Sequence, residues 1–224
     1  VSEITLIDIK ENILADNDEA AARVRAAADA ARTCLINVMA SPGAGKTSLI
    51  LATLDRLAGV RAGVIEGDID SLVDSEIFAS RAVPVVQIRT GGACHLDAPM
   101  VEPALARLDM GGMDAVFVEN VGNLVCPAEF DIGADARVML LSVPEGDDKV
   151  LKYPLMFSVS DALVVTKTDY LDGPGSDFDV ARLTERVRAL NPRIAVFPVS
   201  VRTGEGMADW VNWVDRLIGS KTGL

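Results

Sequence analysis

Seven short apolar runs, rich in Val, Ile, Leu and Ala, recur along the chain at 34–39, 61–66, 83–88, 114–119, 138–143, 162–166 and 195–199. Each is almost free of polar residues, the pattern of strands buried on both faces of a sheet. Between them, 46–58, 96–108 and 179–190 place apolar residues at helical spacing. Strands alternating with helices predict βαβ units, and so an α/β domain with a mainly parallel sheet flanked by helices. Ahead of the first strand, 4–31 reads as an N-terminal extension. It carries an Ala-rich helix at 18–31 whose Ala, Glu and Arg content suits packing on the domain or on a partner. Near the other end, Met207, Trp210, Trp213, Val214 and Leu217 fall on one helical stripe, read as core-facing. The segment 172–176 is a turn-rich loop. The expected division is an extension at 1–32 packed on a domain at 33–224.

The first apolar run leads into Ala40-Ser-Pro-Gly-Ala-Gly-Lys-Thr47. A glycine-rich turn between a strand and a helix points backbone N–H groups inward and makes an anion site at the helix start. Gly43, Ala44, Gly45, Lys46, Thr47 and Ser48 would form this cradle, with Lys46 reaching the β- and γ-phosphates and Thr47 holding Mg²⁺. Ala40 replaces the usual first glycine, which the loop tolerates if Ala40 keeps a negative φ. A turn that merely connects two elements is the alternative, and the Gly-Lys-Thr ending argues against it. The fold expected is therefore a three-layer P-loop NTPase with an N-terminal helical extension.

Other strand ends carry acids. Glu66-Gly-Asp68-Ile-Asp70 closes the second strand and Glu119-Asn-Val-Gly122 the fourth. Acids there face the ligand crevice of an open α/β sheet. Asp68 is the first choice for Mg²⁺ or for positioning the attacking water, and Asp70 the second. Glu119 is expected to hold Mg²⁺, and the Gly122 N–H to meet the γ-phosphate. Each of these acids is read against the alternative of a solvated loop residue. After the sixth strand, Thr166-Lys167-Thr168-Asp169 resembles the guanine-reading N-K-x-D motif, with Thr in place of Asn. Ser200 and Val201 open a segment that resembles the last GTPase motif, whose backbone N–H meets guanine O6. Together these favour GTP over ATP.

Lys and Arg number 21 against 33 Asp and Glu, a formal charge of −12 over 224 residues, which argues against nucleic acid as a ligand. No apolar stretch is long enough to span a membrane, and three cysteines fit a reducing compartment, so a cytoplasmic location is expected. The first residue is Val1, so the initiator is expected to lie outside this sequence. Cys34 sits within a strand and reads as core. Cys94 and His95, the single histidine, are adjacent, and Cys126 lies four residues past Gly122. Thiolate and imidazole suit Zn²⁺ and Ni²⁺. Three ligands leave a four-coordinate site incomplete, which predicts sharing across a twofold dimer or completion by water. A buried thiol beside a surface imidazole is the competing reading, and Cys126 on a loop that would sense the γ-phosphate weighs against it. Lys149 is read as solvated, with a nucleotide or partner contact as the alternative.

Together these residues resemble the HypB family of hydrogenase nickel-insertion GTPases. The resemblance rests on 64–70, 90–98, 118–131 (VENVGNLVCPAEFD), 142–154 (SVPEGDDKVLKYP) and 200–206, and covers the chain from about residue 4 onward. It implies a slow GTPase, cycling between GTP and GDP, that forms a homodimer with GTP bound. It also implies Ni²⁺ or Zn²⁺ at Cys94, His95 and Cys126. Nickel would pass towards a [NiFe]-hydrogenase large-subunit precursor with the help of a small nickel/zinc metallochaperone. The urease accessory GTPase is the nearest alternative, but it uses a Cys-x-His pair. From Val1 onward there is no Cys-x-x-Cys or His-rich stretch, so only the GTPase-domain site is supported. Two rivals remain: a GTP-dependent dimerisation switch with structural zinc, and a small-molecule kinase, which a preference for ATP would favour.

Overall fold

The computed structural model describes residues 9–174 and 176–223, with side chains from Leu14 onward. The expected extension from residue 4 to residue 8 lies outside the described residues. Helix α1 (Ile9–Ala31) begins nine residues before the expected Asp18, because nothing between them breaks a helix. It buries Asn17, Ala20, Ala21, Val24 and Ala28, a stripe of small residues at helical spacing.

All seven expected strands form: β1 (Cys34–Ala40), β2 (Ala62–Asp68), β3 (Val85–Arg89), β4 (Ala115–Glu119), β5 (Ala136–Ser142), β6 (Ala162–Thr166) and β7 (Ala195–Pro198). They make one sheet in the order β3-β2-β4-β1-β5-β6-β7, and every pairing is parallel. All residues of β1 and β4 are buried, as their apolar runs require.

Helices cover both faces. On one, α2 (Lys46–Leu54), α3 (Val73–Ser80) and α9 (Met207–Thr222) pack on Ile36, Val38, Phe117, Leu140 and Val164. Within the α9 stripe, Met207, Trp210 and Val214 are buried and Trp213 and Leu217 pack at its margin. The Trp210 Nε1–H donates to Thr53 Oγ1 at 2.8 Å. On the other face, α1 and α4 (Ala98–Leu108) cover Leu35, Ile65, Val116 and Val118. The rest of that face, Met39, Met139, Leu163 and Val165, lies under α7 (Pro154–Val159) and α8 (Val180–Leu190). The short helices α5 (Cys126–Glu129) and α6 (Lys149–Lys152), like α3 and α7, carry no clear helical period in the sequence. Tertiary packing stabilises such short helices more than propensity does. Cys34 is wholly buried, which pushes its thiol up to about 12, in keeping with a core residue.

The topology puts the loops after β1, β2, β4 and β6 at one edge, the carboxyl ends of the strands. The order turns back on itself around β1, the crevice where open α/β sheets take ligands.

Candidate nucleotide and metal site

The loop after β1 is shaped by its backbone. Gly43 and Gly45 have φ of 75° and 98°, in the left-handed region that favours glycine. Ala40 is the last residue of β1 and is absent from the positive-φ positions, so its methyl costs nothing there. Helix α2 starts at Lys46 with no side-chain cap, leaving its first N–H groups available to an anion.

The loop after β6 is tied to this cradle. Thr166 Oγ1 donates to the Ala44 carbonyl at 2.7 Å, and Lys167 Nζ to the Gly43 carbonyl at 2.7 Å. Thr in place of Asn therefore still joins the two loops. Asp169 accepts from Ser200 Oγ at 2.8 Å and faces Arg202 at 3.5 Å. The Ser200 bond chiefly holds its carboxyl below the usual range, so it is an ionised acceptor at neutral pH. A cleft of about 270 Å³ opens beside these residues, lined by Ala44, Gly45, Ser48, Thr166, Lys167, Asp169, Val201, Tyr170 and Arg202. Sequence reasoning passed over Tyr170 and Arg202, although each adjoins a motif residue.

Across the cradle the structure gathers more acids than expected. Thr47 Oγ1 lies 2.9 Å from Glu119 Oε1 and 3.0 Å from Asp74 Oδ1, and Lys46 Nζ is 4.0 Å from Glu119. One hydroxyl has one proton to donate, so it cannot satisfy two carboxylates. Glu119 Oε2 is buried with no hydrogen-bond partner. A hard cation bound by oxygen fits this donor set, since it would neutralise the acids and occupy the open oxygen. Glu119 pairs in register with Glu66 on β2, and both carboxyls are pushed up to about 7, mainly by burial. Glu66 also faces Ser75 Oγ of α3 at 3.3 Å.

Asp68 adjoins this group and helps to raise both glutamates. Its Oδ1, however, accepts the backbone N–H groups of Asp70 and Ser71 at 2.9 and 2.6 Å, shaping the loop. Asp70 points to solvent, its side chain 86% exposed, with Arg89 at 3.8 Å. Of the two expected candidates, Asp68 and Asp70, only Asp68 adjoins the carboxylate cluster. Glu66 and Asp74 had to be found by tertiary contact.

Cys94, His95 and Cys126 come together from two loops, their ligand atoms all within 4.8 Å of one another. The two sulfurs lie 2.8 Å apart, with His95 Nδ1 3.9 Å from Cys94 Sγ. The His95 ring stacks on Phe130 at 4.0 Å between centroids, and burial lowers its pKa, so the imidazole is neutral and its lone pair available. The Cys126 thiol is raised chiefly by its hydrogen bond with Cys94. These contacts favour the clustered reading over an isolated buried thiol beside a surface imidazole.

Asparagines frame the cluster. Asn123 Nδ2 donates to the Cys94 carbonyl at 3.2 Å, and Asn120 Oδ1 accepts the Leu96 N–H at 3.0 Å. Gly122 touches the cradle itself: a Cβ there would lie 2.9 Å from Pro42 N and 3.0 Å from Pro42 Cα. The loop carrying Cys126 is thus in van der Waals contact with the turn after β1. Lys149 lies outside this assembly, half-buried, with its Nζ 5.7 Å above the Tyr153 ring.

Residues 34–198 match the family described as CobW/HypB/UreG, nucleotide-binding domain. The hydrogenase maturation factor HypB of Azotobacter vinelandii is 47% identical over 224 residues, spanning 99% of this chain and 73% of that protein. The chain belongs to the HypB family. A second relative so named, from Escherichia coli K12, is 40% identical over 96% of this chain and 74% of its own length. Among solved structures, HypB from Helicobacter pylori in complex with nickel superposes with a TM-score of 0.87 at 36% identity. That match covers 92% of this chain and 97% of the other. As a HypB-family protein with this nucleotide-binding domain, the chain is a P-loop GTPase carrying a Cys/His metal-binding cluster. Among the described residues no helix is long and apolar enough to cross a membrane.

Proposed function

We propose that this GTPase is a metallochaperone for [NiFe]-hydrogenase maturation, binding Ni²⁺ or Zn²⁺ at Cys94, His95 and Cys126 across a GTP-dependent homodimer. The observation that carries the proposal is the contact chain between the two sites. The loop that follows Glu119 presses Gly122 against Pro42 of the nucleotide loop and delivers Cys126 to Cys94 and His95. A change in the nucleotide loop therefore reaches the metal ligands within a few residues. The names of the relatives, hydrogenase maturation factors, supply the acceptor class.

In this reading residues 33–224 are the GTPase domain and residues 1–32 an extension on its surface. Gly43, Ala44, Gly45, Lys46, Thr47 and Ser48 hold the phosphates, with the Gly122 N–H near the terminal one. Thr166, Lys167, Asp169, Ser200 and Val201 hold guanine. Thr47, Glu119 and Asp68 are the residues that would hold Mg²⁺, which supplies charge neutralisation on the phosphates when bound. Lys46 stabilises the charge that builds on the transferred group, and Asp68 orients water.

Contact with the terminal phosphate keeps the Asp68 and Glu119–Gly122 segments ordered and favours the dimer. Hydrolysis loosens them, separates Cys126 from Cys94 and frees the cargo, an order–disorder switch. Exposed Ile69, Leu72, Val73 and Ile77, with Val125 beside Cys126, supply apolar surface for a second copy. A small nickel/zinc metallochaperone and the hydrogenase large-subunit precursor are the proposed partners in delivery.

The test is Ni²⁺ and Zn²⁺ affinity with GDP or a non-hydrolysable GTP analogue bound, in wild type and Cys94→Ala, with oligomer size followed by light scattering. Nickel affinity that depends on nucleotide and disappears in Cys94→Ala supports delivery. Affinity indifferent to nucleotide, with a dimer that chelators disrupt, would reduce the metal to a structural one.

A further inference from the structure

Asn17 of α1 is buried, 2% exposed. Its Oδ1 accepts the Ala98 N–H at 2.9 Å, and its Nδ2 donates to the Asp131 carbonyl at 2.8 Å. Ala98 is the first residue of α4, three positions after His95, and its N–H has no partner within the helix. Asp131 directly follows Phe130, whose ring stacks on His95, and lies five positions after Cys126. One side chain thus spans the exits of both loops that deliver the thiols and the imidazole.

We infer that Asn17 is a positioning residue for Cys94, His95 and Cys126, setting the separation of their loops from the N-terminal helix. The inference rests on the metal-binding reading above. The primary amide of Asn17 accepts on one side and donates on the other, and so joins the two loops. Aspartate lacks the donor, and alanine lacks both groups and strands two buried backbone partners.

The rest of the interface fixes α1 at the required distance. Ala20, Ala21 and Ala98 are buried against one another. Gly133, at φ 79°, approaches so closely that a Cβ would lie 2.5 Å from the Ala21 carbonyl oxygen. Arg25 pairs with Asp131 at 2.8 Å. A shift of Asp131 moves Phe130 and with it the plane on which the His95 ring rests. Residues outside the coordination shell that orient ligands in this way change metal affinity by roughly 10- to 100-fold when altered.

The test uses Co²⁺ as a spectroscopic probe on the full chain, comparing wild type with Asn17→Ala, Asn17→Asp and Cys94→Ser. Asn17→Ala is expected to weaken Co²⁺ binding by roughly 10-fold or more and to shift the thiolate-to-cobalt charge-transfer band. The affinity for fluorescent GDP should stay within about twofold, because Asn17 touches none of the nucleotide residues. Asn17→Asp keeps the acceptor for Ala98 but sets its oxygen against the Asp131 carbonyl, and should change in the same direction. It carries the test if Asn17→Ala does not fold.

A folded variant with the wild-type cobalt spectrum and affinity would overturn the inference, even if its melting temperature falls, because Asn17 would then only brace α1. If wild type and Cys94→Ser give the same cobalt spectrum, the metal reading itself fails and this inference falls with it.

Discussion

The nucleotide cradle and the metal cluster lie side by side and are built by opposite means. In the cradle most of the work is done by backbone: two left-handed glycines, the open end of α2, and one lysine adjacent to both. Eight consecutive residues contain nearly all of it, with Thr166 and Lys167 tying the loop down from β6. The metal cluster has no backbone template. Its sulfurs come from residues 32 apart in the chain, on loops held by Asn17, Asn120 and Asn123. A preformed local loop tolerates change at a distance, whereas a cluster assembled from separate segments responds to every contact that sets their spacing. If the cluster releases cargo, as proposed above, the second kind of construction serves that role.

The sharpest way to break this contrast is at Lys46. Replacing it with Ala should weaken triphosphate binding by about 100-fold or more, as a charge-assisted contact to phosphate is lost, while metal affinity without nucleotide is unchanged. Titration with a fluorescent GTP analogue and with Ni²⁺ reads both quantities. Retained tight GTP binding would sink the assignment of the loop.

Gly122→Ala probes the seam between the two regions. Its methyl would lie 2.9 Å from a backbone atom of Pro42, so the two loops must separate. An overpacked contact of this kind costs about 1–3 kcal/mol, and both GTP and nickel affinities should fall together, by about 10-fold. A loss confined to one ligand would show that the regions are merely adjacent.

Acidity gives a third test. Glu66 and Glu119 titrate near 7 in the folded chain against 4.5 for the free side chain. Each raised carboxyl holds its proton more tightly when folded. Its stabilisation is fully present below pH 4.5 and is lost as pH rises through 7. The melting temperature of ligand-free protein should therefore fall by about 10 °C or more between pH 5 and 8. Mg²⁺ with GDP should flatten that slope, and Glu119→Gln should remove much of it, as followed by thermal denaturation. A flat profile for the ligand-free wild type would contradict the buried acid pair. The smallest effect belongs to Asp70→Asn. An 86% exposed side chain should change GTP hydrolysis by less than about twofold in a single-turnover assay.

Much of this protein was legible along the chain, for reasons that vary by element. The strands were plain because a sheet covered on both faces demands continuous apolar runs, as in the wholly buried β1. Helix α3 was not, since its eight residues leave Val73 and Ile77 exposed and bury mainly Phe78 and Ser75. The same gap hid Asp74, which has no motif around it and matters only because α3 brings it to Thr47. Glu66 sat in view inside an acidic stretch, yet only the register with Glu119 distinguishes it from Asp68. Asn17 reads as one polar residue in an Ala-rich helix, and its two partners lie 81 and 114 positions away.

Reading along the chain was enough for the alternating architecture and the phosphate loop, and for singling out Asp169 as the candidate base reader and Cys94, His95 and Cys126 as candidate metal ligands. Each of these follows from local sterics, periodicity or the chemistry of adjacent residues, which act over a few bonds and need no knowledge of the rest of the fold. Tertiary structure alone decided which acids surround Thr47, how the thiols meet, and that an N-terminal helix braces them. Those facts depend on the strand order and on the packing of helices across it. Contacts closed over tens of residues are selected by the burial of the whole core, which no short stretch of chain encodes.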